Sequence, residues 1–171
     1  MNKISSHIAL YFVISVFIPT LLLGSDKVEI QWMSFDSGLA AAKKLDKKII
    51  VSVYTTWCGW CKRMDRDVFT DQRVAVYLNE NYVTVKLNAE SDATATYKGK
   101  TGSEKTLARS FRVTGYPTTL FFEPDGELIT SVSGYFSADK LLPILKFLGE
   151  NHFKIMSWEE YFENHEKSDK K

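Results

Sequence analysis

Apolar and polar positions alternate in short blocks along residues 28–165, and the blocks change rhythm between strand-like and helix-like spacing. Residues 28–32 alternate enough to predict a first strand. Ser34 and Asp36 offer N-caps to a helix carrying Leu39, Ala40, Ala41, Ala42 and Leu45. Residues 49–54 form a β-rich apolar run that predicts a buried central strand. A polar helical stretch, 62–66, follows. Thr70 and Asp71 restart a helix that ends near Asn79, and 82–87 predicts a second strand of the same kind. Residues 88–102 are polar, read as irregular, and are longer than a usual connection. A helix over 103–111 and a strand over 118–122 come next. Asp125-Gly126 then turns the chain as a hairpin into 128–132. Ser137 caps a helix running to Leu148 and stopped at Gly149. Ser157 with Glu160 makes a capping-box pattern for a last helix from Trp158 to about His165. The tail 167–171 is expected to be disordered. Alternation followed by a hairpin predicts an α/β fold around a mixed sheet.

The first 25 residues follow a different rule. Lys3 precedes an apolar run over 8–23, and Gly24 and Ser25 are small enough to flank a cleavage site. This reads as an export signal. An uncleaved membrane anchor is the second reading, since Leu22 or Leu23 stands where cleavage prefers a small residue. A buried helix of the domain is a third. Export places the remainder in a periplasmic or secreted compartment, where thiols oxidise readily. The expected organisation is 1–25 signal or anchor, 26–150 folded domain, and 151–171 C-terminal helix and tail.

Composition narrows the function classes. The chain has 171 residues, 22 basic and 21 acidic, for a net charge of +1. No basic excess points to nucleic acid. There are two cysteines, Cys58 and Cys61. A secreted disulfide scaffold would carry more, spaced more widely.

Cys58-Gly59-Trp60-Cys61 directly follows the central apolar run, at a strand-to-helix junction. Open α/β sheets place their sites at such carboxyl strand ends. A thiol in the first turn of a helix meets unpaired backbone N–H groups and the positive end of the helix dipole, which favour the thiolate. Lowering a thiol pKa from about 8.5 to about 7 raises its ionised fraction roughly sixteenfold at pH 7. Intrinsic nucleophilicity falls about fivefold over the same shift, so attack gains only about threefold. The larger gain is in leaving-group quality. Cys61, three residues on, is placed to resolve a mixed disulfide and is expected to be the more shielded thiol. A purely structural clip would close a four-residue loop worth roughly 2 kcal/mol at most. Zinc wants about four ligands, and of the three histidines His7 lies in the N-terminal segment, which leaves His152 and His165. Haem attachment requires histidine where Lys62 stands. Thiol–disulfide exchange needs no cofactor and no metal.

Trp57-Cys58-Gly59-Trp60-Cys61-Lys62 resembles the signature of the thioredoxin superfamily, and Tyr116-Pro117-Thr118 resembles its cis-proline loop. Gly126 and Gly134 fall where that family has hairpin and late-strand glycines, and Lys86 resembles a lysine beneath its active site. The resemblance covers roughly 28–149 and is nearest to periplasmic thioredoxin-like proteins, including the C-terminal domain of membrane electron-transfer reductases. It implies a thioredoxin fold, a central mixed sheet flanked by helices, here with an N-terminal helix and an extra C-terminal one. It implies Cys58 as nucleophile, Cys61 as resolving thiol, a redox-active disulfide between them, and a cis bond before Pro117. Trp57, Gly59, Trp60, Tyr116 and Pro117 would line the substrate groove. For Trp57 and Tyr116, plain packing is an equal alternative, and Trp60 is expected on the surface. Three departures stand out: Ser52 where the family has a buried aspartate, Trp60 rather than proline, and Arg66 at its kinking proline. The implied activity is disulfide reduction on protein substrates by a monomer recharged by a membrane electron donor. Isomerase or oxidase action is the alternative, and a non-catalytic binding module a further one.

Overall fold

The computed structural model describes residues 27–169. The N-terminal run read as signal or anchor lies outside them. Among the described residues no helix is long and apolar enough to cross a membrane.

Among the described residues six α-helices and six strands succeed one another: α1 (Phe35–Leu45), β1 (Lys48–Tyr54), α2 (Gly59–Asp67), α3 (Gln72–Asn81), β2 (Tyr82–Asn88), β3 (Thr94–Tyr97), β4 (Lys100–Ser103), α4 (Glu104–Ser110), β5 (Thr118–Phe122), β6 (Leu128–Ser133), α5 (Ala138–Gly149) and α6 (Trp158–Asp169). Four strands form one sheet in the order β2-β1-β5-β6, while β3 and β4 pair separately. β1 runs parallel to β2 and antiparallel to β5. The sheet is mixed, as the alternation followed by a hairpin predicts.

β1 is apolar at nearly every position because both of its faces are covered. Ile49, Val51 and Val53 pack with Phe35, Ala42 and Leu107 of α1 and α4. Ile50, on the opposite face, packs with Met64, Val74, Leu78, Leu141 and Leu145 of α2, α3 and α5. Helix α1 lies very close to the sheet: a Cβ built on Gly38 would come within 2.2 Å of a Val85 methyl. α6 closes the second layer by setting Trp158 and Tyr161 against Phe147 at ring separations of 5.3 and 5.1 Å.

Three expectations need correction. Residues 28–32 are not a strand. Gln72 takes both the N–H and the C=O of Val28, Asn79 donates to Glu29 O, and Thr84 donates to Gln31 O. Side chains thus satisfy this backbone, and sheet pairing is reduced to a single parallel bridge between Met33 and Val85. The 88–102 segment is not irregular, because β3 and β4 form a hairpin within it. Its turn residues, Lys98 and Gly99, both have positive φ, 49° and 75°, the geometry that matches the twist of paired strands. Gly149 ends α5, as expected, without a left-handed turn of its own. Its missing side chain admits the hydroxyls of Tyr82 and Tyr77, 3.0 and 3.1 Å from where a Cβ would sit, and the left-handed residue is Asn151. The last helix reaches Asp169, so it takes in most of the tail expected to be disordered.

Candidate active site

β1 brings the chain to the carboxyl edge of the sheet, and residues 55–57 turn it into α2. No serine, aspartate or asparagine starts that helix. Cys58 occupies the N-cap with extended backbone, and its Sγ accepts the Cys61 N–H at 3.0 Å. Sulfur thus takes the role a cap oxygen usually fills. The first turn of α2 carries no acidic residue, so nothing there offsets the positive end of its dipole. Cys58 and Cys61 are joined as a disulfide. Their exposures are 4% and 3%, so shielding does not separate them as expected; only position in the helix does.

Two aromatic pairs flank the disulfide. Trp57 meets Tyr116 edge-on at 6.0 Å, and Trp60 meets Tyr135 at 5.3 Å. Trp57 and Trp60 are 67% and 55% exposed, which rules out core packing for both. The Arg63 guanidinium lies 5.2 Å from the Trp60 ring centre and 5.3 Å from that of Tyr135, bracing the second pair. Gly59 has open space where a side chain would project. The Tyr116–Pro117 bond is cis, as the resemblance implies. The Pro117 carbonyl accepts the Gly134 N–H at 2.8 Å, and Thr118 Oγ1 donates to Gly115 O at 2.7 Å, which fixes this loop beside the helix start.

Glu90, from the segment after β2, escaped the reading of the sequence. Its carboxylate accepts the Thr56 N–H and hydroxyl at 3.1 and 3.0 Å and the Trp57 indole N–H at 2.7 Å. These bonds, the Thr56 N–H first among them, hold its pKa below the ordinary glutamate value. Trp57 is therefore oriented from a residue 33 positions away. No local pattern signals this.

Beneath α2, Lys86 of β2 lies opposite Ser52 of β1, which in turn lies opposite Thr119 of β5. Lys86 Nζ donates to Ser52 Oγ at 3.4 Å and pairs with the Asp65 carboxylate of α2. The rings of Trp32, Tyr54 and Phe69 surround its ammonium, with centres 4.7, 5.2 and 5.2 Å away. Burial pushes its pKa below the ordinary lysine value, while Asp65 opposes that shift. Asp65 was also missed. The available signal was its place four residues after Cys61, on the same helix face.

A disulfide at a helix N-terminus, backed by a backbone donor and bordered by exposed aromatic rings, is suited to reversible thiol–disulfide exchange. The comparisons agree. Over 98 residues, 56% of this chain, it is 33% identical to the thiol:disulfide interchange protein DsbD of Actinobacillus pleuropneumoniae, and spans 15% of that protein. A solution structure of a disulphide-isomerase candidate from Bacteroides thetaiotaomicron matches at 34% identity and a TM-score of 0.56, covering 71% of this chain and 93% of that one. A thioredoxin-fold protein from Helicobacter pylori, 19% identical, matches in fold with a TM-score of 0.59 over 85% of this chain and 91% of its own. The family model described as a thioredoxin-like domain matches residues 35–149. With most of the described fold inside that match and the CxxC pair in place, the chain belongs to the thioredoxin-like family.

Proposed function

We propose that this protein reduces disulfides of other proteins outside the cytoplasm. The observation that carries the reading is Cys58 Sγ at the N-cap of α2, accepting the Cys61 N–H while bonded to Cys61. In the reduced protein the same donor and dipole favour a Cys58 thiolate. That thiolate attacks one sulfur of a substrate disulfide. The other substrate sulfur leaves as a thiolate and takes a proton from solvent. Cys61 then attacks Cys58 Sγ, the mixed disulfide breaks, and the Cys58–Cys61 disulfide forms. Two electrons and two protons from a dithiol donor return it to the reduced state.

In this reading Trp57, Trp60, Tyr116 and Pro117 are the docking residues for an extended substrate segment, supported by the exposed tryptophans and the Trp57–Tyr116 pair, and the open space at Gly59 leaves room for its approach. Similarity to part of an interchange protein supports a membrane-protein donor, and the N-terminal run supports export. The similarity to a disulphide-isomerase candidate favours isomerisation as the second reading.

An insulin-reduction assay tests the proposal. Wild type is expected to precipitate insulin chains in the presence of dithiothreitol well above background, and Cys58→Ser to fall to background. Cys61→Ser is expected to accumulate mixed disulfides with envelope proteins. Equal background rates for wild type and Cys58→Ser would sink the enzyme reading and leave a binding module.

A further inference from the structure

We propose that a cavity walled by β6, α5 and α6 binds a free medium-chain fatty carboxylate, with the head group of the ligand at Lys140. The cavity shares no residue with the disulfide site.

Its volume is about 440 Å³, within the range of small-molecule sites. Val132 of β6, Ile144 and Phe147 of α5, and Trp158 and Phe162 of α6 form apolar walls. β6 ends the order of the sheet, so among the described residues no further strand covers this side. α6 lies beyond the matched family segment, which stops at residue 149. Trp158 and Phe162 are thus walls that this chain adds to the fold. Aromatic contacts hold the space open. Trp158 stands edge-on to Phe147 at 5.3 Å and tilts against Phe162 at 5.5 Å. Tyr161 is buried and meets Phe147 at 5.1 Å, which pins α6 where it is.

Polar atoms on the lining side chains belong to Lys140, Thr130 and the Trp158 indole, and Lys140 alone is charged. Lys140 is an exposed residue of the first turn of α5, so its stem lines the wall while its ammonium stays at the mouth. Asp139, beside it in sequence, is taken by Arg73. Lys140 itself has no ion pair among the described residues. A cation in a first turn adds to the positive end of the helix dipole, and the two together favour an anion. The other end of the cavity has the opposite character. Trp158 packs on Phe147, in the last turns of α5, and is followed directly by Glu159 and Glu160. Those acids repel a carboxylate. Charge therefore sets the ligand with its head at the start of α5 and its tail against α6. From Lys140 to Leu148 the helix advances about 12 Å, a depth that suits a medium-length acyl chain.

Calorimetric titration of the full chain with decanoate, below its micelle concentration, tests the site. One decanoate per chain is expected, with the negative heat-capacity change of apolar burial. Octanoate should bind about fifteenfold more weakly, since each buried methylene contributes about fourfold. Lys140→Glu is expected to weaken decanoate about tenfold or more, to strengthen decyltrimethylammonium, and to leave decanol unchanged. Ile144→Trp, which fills the cavity, should abolish binding of all three probes while the circular dichroism spectrum stays that of wild type. Lack of saturable decanoate binding by the wild-type chain overturns the proposal. Equal affinities for decanoate, decanol and decyltrimethylammonium overturn it as well, because the cavity would then be an apolar surface without a head-group site. Decanoate binding untouched by Lys140→Glu would place the ligand elsewhere and has the same consequence. A dimer in sedimentation runs that Ile144→Trp dissociates would give the cavity to a second copy of the chain instead.

Discussion

The residues that carry the chemistry differ in how far apart in sequence their partners lie. Cys58, Gly59, Trp60 and Cys61 interact within one turn, so their spacing alone indicates a redox pair at a helix start. Pro117 was readable through its flanking residues, and the structure places it in a cis bond. Glu90 was not readable, because it acts on residues brought near only by the sheet, whereas Asp65 carried one local signal, its place four residues after Cys61 on the same helix face. Glu90 also yields a prediction with a defined sign. Its pKa is held below the ordinary glutamate value by hydrogen bonds that exist only in the folded chain. Its contribution is therefore present above the unfolded pKa, about 4.3, and is lost as pH falls through the lower folded value. In an NMR acid titration, the Trp57 indole proton should shift in that window in wild type. In Glu90→Gln it should begin displaced and show no such step. An indole resonance indifferent to the substitution would contradict the clamp.

At the scale of elements, the helices and the four long strands were legible because each has a periodic apolar face and a recognisable start. The misread segments are those whose backbone is satisfied in an unusual way. Residues 28–32 look like a strand, but Gln72, Asn79 and Thr84 capture their polar groups. The hairpin over 94–103 looks like loop because its outer residues are polar. Tyr97 anchors it by packing on Phe35, Phe111 and Phe122 and donating its hydroxyl to Gly126 O. Caps also differ in a testable way. Ser103 caps α4 reciprocally with Thr106, whereas Ser137, at the start of α5, makes no side-chain cap bond. Ser103→Ala should cost about 1 kcal/mol in urea melts, while Ser137→Ala should leave the midpoint nearly unchanged. Equal losses at the two positions would show that cap geometry does not set α4 stability.

The molecule as a whole joins a rigid sheet, covered on both faces, to a site on its carboxyl edge. Both cysteines stand on structure fixed by the core: Cys58 follows the central strand, and Cys61 shares its helix with buried Met64 and Val68. The aromatic pairs, by contrast, face solvent. Burial thus fixes the sulfur geometry while the proposed docking surface stays open. That division makes the direction of electron flow a property of the Cys58–Cys61 couple. The decisive measurement is its reduction potential, taken by equilibrating the full chain with graded glutathione or dithiothreitol buffers. The account predicts one reversible two-electron couple, abolished by either cysteine substitution, with a potential near the thioredoxin value of about −270 mV. A value of about −180 to −120 mV would contradict reductase action and favour isomerase or oxidase action. The absence of any reversible couple would contradict the assignment of thiol–disulfide exchange itself.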